Sequence, residues 1–240
     1  MLNKIAVTGE GPTDMGCCRN QQPDCTGDDF EVGAVAHLLF KLVYHHLPEW
    51  NADLLDAANP AAHMSFVLGS WLGQQSSARR KIRPSTRVKK GFVEHAQRAE
   101  ALAQYALSHQ HELAAYFHDT DRLERQDLVA AIEEGFRAAE FAERGIALVP
   151  KPTSEAWFIC ATKPHPYQHC PQLEDELSGN DRSPQRAPKT VLGQYLQNPD
   201  YTRHDLNELV GQLDVTRIDM PSFNELRAQV TTAITVVCGQ

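Results

Sequence analysis

Strand-like and helix-like segments take turns along this chain from residue 4 to about 162, and no other feature constrains the fold as strongly. Residues 4–8 (KIAVT) are a short apolar run that stops at the turn cluster Gly9-Glu10-Gly11-Pro12. Helical spacing follows over 30–47, with Val35, Leu38, Leu39 and Leu42 on one face. Residues 65–68 read as a second short strand. Residues 91–108 read as an alanine-rich helix with Phe92, Ala96, Ala99, Ala103 and Ala106 at helical spacing. A strand over 113–117 leads into a helix over 127–144, whose buried face carries Leu128, Ile132, Phe136 and Ala139 and which Gly145 stops. A strand over 146–149 and a helix over 155–161, capped by Ser154, complete the pattern. Such alternation predicts an α/β sandwich with a mostly parallel sheet flanked by helices.

Two stretches break the rhythm. Residues 16–29 are polar and cysteine-rich and read as irregular. Residues 163–187, rich in proline and histidine, read as a surface insertion. Helical patterns over 189–196, 204–213 and 222–236 then predict a helical C-terminal part, 188–240, packed on the core of 1–162.

Composition narrows the function classes. Hydrophobic residues make up 42%, enough for a core, and no apolar run reaches the roughly 18 residues that span a bilayer. The opening residues read as a first strand rather than a signal peptide, so a cytoplasmic chain with no membrane partner is expected. In that compartment six cysteines do not suggest a disulfide framework. A net charge of −8 disfavours a coat that holds nucleic acid by charge alone, but not a nuclease whose acids are neutralised by cations. The one basic run holds Arg79, Arg80, Lys81, Arg83, Arg87, Lys89 and Lys90. A solvated loop and a phosphate-contacting loop account for it equally well.

The acids carry the chemistry. In parallel α/β sheets ligands gather at the carboxyl ends of strands. Glu10 and Asp14 follow the first expected strand, Asp119 and Asp121 the third, and Glu155 the fourth. Asp119 and Asp121 alternate along extended chain, so both can face one cation. Magnesium and manganese favour such hard oxygen ligands, and like charges brought together need a cation or a proton. Taken singly, each acid reads reasonably as a turn or helix-start residue, and an isolated Asp-x-Asp is more often that than a metal site.

Together, Gly9-Glu10-Gly11-Pro12-Thr13-Asp14, His118-Asp119-Thr120-Asp121 and Pro152-Thr153-Ser154-Glu155-Ala156-Trp157 resemble the motifs of the Toprim superfamily. The likeness is to small standalone bacterial Toprim-like proteins and to OLD-family nuclease domains. Weaker echoes lie at Ala187-Pro188-Lys189-Thr190-Val191-Leu192 and Pro221-Ser222-Phe223. The resemblance implies a Toprim-like fold and a Mg²⁺- or Mn²⁺-dependent endonuclease of the two-metal type. Glu10 would be a metal ligand or general acid/base, Asp14, Asp119, Asp121 and Glu155 metal ligands, and Lys189 a phosphate-stabilising cation. It further implies a nucleic acid substrate, a separate ATPase subunit as partner, and a setting in phage defence or a mobile element. A homodimer stays open.

Other readings stand beside it. A haloacid-dehalogenase-like phosphatase would use Asp119 as nucleophile and Asp121 as acid, but that motif normally follows the first strand. A partner-binding subunit would use the acids only to hold a structural cation. Zinc on Cys17, Cys18, Cys25, His165, His169 and Cys170 is disfavoured, because the spacings are irregular and prolines interrupt the histidines. Trp157, followed by Phe158 and Ile159, is expected in the core.

Overall fold

The computed structural model describes residues 1–78, 88–120, 123–179 and 183–239. Its strands are β1 (Ile5–Gly9), β2 (Gly16–Cys18), β3 (Asp24–Thr26), β4 (Phe30–Val32), β5 (Met64–Val67), β6 (Leu113–Phe117) and β7 (Gly145–Leu148). Five of them form one sheet in the order β3-β5-β1-β6-β7. Within it β5, β1, β6 and β7 run parallel, and β3 adds antiparallel at one edge. The helices are α1 (Ala34–His46), α2 (Glu49–Ala52), α3 (Gly69–Ala78), α4 (Val93–Ser108), α5 (Arg125–Ala138), α6 (Glu155–Thr162), α7 (Leu173–Glu176), α8 (Pro188–Leu196), α9 (Arg203–Gln212) and α10 (Pro221–Cys238). The fold is therefore α/β, a mostly parallel sheet flanked by helices and followed by a helical C-terminal part.

Buried on both faces, the strands read as continuous apolar runs, yet their period of two divides the core. Ile5, Val7, Leu113, Ala115, Phe117, Ile146 and Leu148 meet α1, α6, α8, α9 and α10 on one face. Ala6, Ala114, Tyr116 and Ala147 meet α3, α4 and α5 on the other.

Several expectations are corrected. The stretch 16–29 is not irregular. It holds β2 and β3, and β2 pairs antiparallel with β4 in a small second sheet. Strands of three residues are too short to show a period. Phe30 belongs to β4, so the first helix starts at Ala34 rather than at 30. Helix α3 carries little helical signal, because its sequence, GSWLGQQSSA, offers little apolar face. The helix expected to reach 144 ends at Ala138, with a separate 3-10 turn at Ala142–Arg144. Within the stretch read as a surface insertion, the described residues include α7, and Cys170, Leu173 and Leu177 are buried.

The cysteines also differ from expectation. Cys18 and Cys25 form a disulfide, as do Cys160 and Cys170. Two of the thiols, Cys17 and Cys238, stay free. The bonds arise because β2 and β3 lie side by side and the chain after α6 turns back under it, proximity that linear spacing does not reveal. Pairing also withdraws Cys18, Cys25 and Cys170 from any zinc site. Each bond closes a short loop and should contribute about 2–3 kcal/mol. Thermal denaturation with and without dithiothreitol should therefore show a clear drop in midpoint on reduction.

Helices α4 and α5 touch backbone to backbone at Gly135, where an added Cβ would lie 2.2 Å from the Ala96 carbonyl oxygen. By helix propensity alone Gly135→Ala would stabilise by about 1 kcal/mol. Here it should destabilise by roughly 1–3 kcal/mol, as overpacking does, measured as a lower urea midpoint.

Candidate active site

The sheet order brings the acids together. Strands β1, β6 and β7 are neighbours and parallel, so their carboxyl ends share one edge. Glu10 follows β1 directly, Asp119 lies two residues past β6, and Glu155 opens α6 beyond β7. Hydrogen bonds stitch the three loops. The Asp119 amide donates to Glu10 Oε1 at 3.1 Å, and the His118 amide donates to the Leu148 carbonyl at 3.2 Å. Thr120 donates from both its amide (3.2 Å) and its hydroxyl (2.8 Å) to the Pro152 carbonyl, which follows a cis Lys151–Pro152 bond.

Asp14 arrives by a tight turn. Met15 donates its amide to the Gly11 carbonyl, and the Asp14 carbonyl accepts from the amides of Val35 and Ala36 at the start of α1. Gly11 has φ +78, and an added Cβ would stand 2.8 Å from Asp14 Oδ2. Only glycine both takes this left-handed conformation and clears the carboxylate.

Ser154 bridges the two aspartates. Its amide donates to Asp119 Oδ1 at 3.0 Å and its hydroxyl to Asp14 Oδ1 at 2.6 Å. Thr153 donates to Glu155 Oε2 at 2.6 Å, and Glu155 is only 5% exposed. Burial, reinforced by the charges of Glu155 and Asp14, pushes the Asp119 carboxyl up to about 9, against the pull of the Ser154 amide. Burial likewise raises Asp14 to about 6. The Ser154 hydroxyl and the charge of Lys189 oppose that rise, and Glu155 and Glu10 add to it. At neutral pH the cation-free site therefore keeps a proton on Asp119.

Four expected ligands thus meet in one cluster: Glu10, Asp14, Asp119 and Glu155. Lys189, exposed in the first turn of α8, places its charge within reach of Asp14. Asp121 lies outside the described residues, as do Arg79, Arg80, Lys81, Arg83 and Arg87. Lys89 pairs with Asp127 at 2.6 Å, and Lys90 is exposed.

Other residues at the site escaped sequence reasoning. The sequence suggests only a capping role for Ser154, yet it makes no side-chain cap bond. His118 Nδ1 donates to the Asp119 carbonyl at 2.6 Å and lies 3.3 Å from Glu10 Oε1. Its ring stands edge-on to His95, with centroids 4.6 Å apart. His95 contacts the Tyr116 hydroxyl at 3.0 Å and is held down to about 4, first by burial and then by His118. Burial raises the Tyr201 phenol, and the charges of Glu155 and Asp14 add to the rise. Its buried hydroxyl has no partner among the described residues. Apart from the bond between neighbours His118 and Asp119, these contacts cross long chain separations.

The donor set suits a hard divalent cation: carboxylate oxygens, an excess of negative charge, and a proton retained where a cation could replace it. Among the described residues, no three such side chains already converge on one point. Ser154 holds Asp14 and Asp119 by separate bonds, so occupation requires side-chain rotation. Among the described residues no helix is long and apolar enough to cross a membrane. Comparison with protein-family profiles, curated protein sequences and solved structures returns no match at a significant level.

Proposed function

We propose that the chain is a magnesium- or manganese-dependent nuclease whose site comprises Glu10, Asp14, Asp119, Glu155 and Asp121. The observation that carries this reading is the meeting of four carboxylates at the ends of three adjacent parallel strands, where burial first and the neighbouring acids second raise the Asp119 carboxyl. When bound, such cations supply charge neutralisation at the phosphate and an acidified water. The chain's own residues do the rest. Ser154 orients Asp14 and Asp119, and Thr153 orients Glu155. Glu10 is steered by the Asp119 amide and His118. Lys189 adds positive charge at the rim for a phosphate oxygen. A separate ATPase partner and a role in phage defence or a mobile element belong to the same reading, through the motif resemblance, and a homodimer stays open beside it.

The test is manganese-dependent cleavage of a pool of plasmid, single-stranded DNA and RNA. Cleavage by wild type that Asp119→Ala abolishes supports the reading and names the substrate. No cleavage, with an aspartyl-phosphate trapped on Asp119, would replace it with phosphatase chemistry. No cleavage with manganese binding retained would favour a subunit that acts through a partner. A cytoplasmic setting has its own check. A reducing compartment would hold the Cys18–Cys25 and Cys160–Cys170 pairs as thiols, so thiol counting on rapidly alkylated cells separates it from an oxidising one.

A further inference from the structure

A concavity is lined by residues outside the acidic cluster. It is a cleft of about 520 Å³ between β4 and the start of α9, within the size range of small-molecule sites. Its lining has two parts of opposite character. One is apolar and built from Phe30, Val32 and Pro60. The other presents the guanidinium groups of Arg19 and Arg203, cross-linked by one carboxylate. Glu31 takes Arg19 Nε on one oxygen at 3.0 Å and Arg203 Nη2 on the other. These arginines hold the Glu31 carboxyl down to about 2, so it stays ionised as their organiser.

The donor count leaves room for a ligand. Arg19 spends Nε on Glu31 and Nη1 on the Asp28 carbonyl. Arg203 spends Nη2 on Glu31 and Nη1 on Cys17 Sγ at 3.4 Å. Arg19 Nη2 and Arg203 Nε have no partner among the described residues, and the trio keeps one net positive charge. Fixed guanidinium forks of this kind suit phosphate oxygens. His37 and Asn207, bonded to each other at 3.1 Å, line the cleft as well and offer polar edges.

We propose that this cleft binds a nucleoside phosphate, with the phosphate on Arg19 and Arg203 and the nucleoside against Phe30, Val32 and Pro60. The site stands on its own residues and does not require hydrolysis at the acidic cluster. Along the chain its residues lie near those of that cluster. Arg19 lies five residues after Asp14, and Arg203 two after Tyr201, whose phenol feels Asp14 and Glu155. The same chemistry is offered by a free nucleotide and by the phosphorylated end of a strand.

Fluorescence anisotropy in EDTA tests this with two probes, a fluorescent AMP analogue and a 5′-phosphorylated, 3′-fluorescein octathymidylate. Wild type should bind at least one. Binding of AMP alone identifies a free nucleotide, and octamer binding that AMP displaces identifies a strand end. Arg19→Gln or Arg203→Gln should each weaken binding about tenfold, because a charge-assisted bond to phosphate is worth about that. Each single variant leaves Glu31 one arginine, so thermal midpoints should stay near wild type. Glu10→Gln should bind as wild type does, whether or not the chain is a nuclease. Absence of binding at millimolar probe, or wild-type binding by both arginine variants, overturns the site. Inorganic phosphate competing as well as AMP would overturn the apolar half of the proposal.

Discussion

Asp119→Asn should abolish cleavage and at the same time make the cation-free protein more stable. The two effects share one cause. The Asp119 carboxyl sits among Glu10, Asp14 and Glu155 at about 9, far above its value in an unfolded chain. A group whose folded pKa is raised favours folding fully below its unfolded pKa, and that advantage is lost as pH rises through the folded value. Asp14, at about 6, acts in the same direction. Cation-free wild type should therefore lose stability progressively from about pH 4 to about pH 9. Asparagine is neutral at every pH and still offers an oxygen to the Ser154 amide. At pH 8 it should stabilise the metal-free fold by on the order of 2 kcal/mol, and it should flatten the pH dependence. It cannot supply a carboxylate to a cation, so activity should fall at least about a thousandfold. Manganese should raise the melting midpoint of wild type more than that of the variant. Melting curves from pH 5 to 9, with and without manganese, together with the cleavage assay, read both effects. A variant that is less stable and still active would remove Asp119 from the site.

That coupling explains which parts of the molecule were legible beforehand. The apolar runs of β1, β6 and β7 announce themselves, and chain order alone puts Glu10, Asp119 and Glu155 just beyond them. Their meeting depends on β1 lying between β5 and β6 and on β7 flanking β6, pairings that no local pattern encodes. The bridge from Ser154 to Asp14 spans 140 residues, and Tyr201 reaches the same acids from a C-terminal helix start. The Cys18–Cys25 bond was hidden for a related reason: strands of three residues leave no periodic trace, so neither their pairing nor their cysteines' proximity could be read. Local propensity wrote the frame. The electrostatics of the site are tertiary throughout.

The same dependence on distant packing makes Trp157→Ala the most damaging core substitution to expect. Trp157 is fully buried two residues after Glu155, on the helix whose start carries Ser154. Its Nε1 donates to Ser222 Oγ at 2.9 Å, and its ring meets Phe223 edge-on at 5.2 Å. It thus clamps α6 against α10, where Ser222 in turn donates its amide to Glu174 at 2.7 Å. Truncation to alanine leaves a large cavity and a buried serine hydroxyl without its partner, a loss of about 3–5 kcal/mol. A typical domain of this kind has only about 5–15 kcal/mol in total. Trp157→Phe, which keeps most of the volume and loses the bond, should cost about 1–3 kcal/mol. Ser222→Ala should cost less than Trp157→Ala, because the ring still fills its space. Urea unfolding of the three variants tests this order. Because α6 also sets the positions of Ser154 and Glu155, Trp157→Ala should lose activity at temperatures where Trp157→Phe retains it. Equal midpoints for the alanine and phenylalanine variants would mean that Trp157 is not the clamp between α6 and α10.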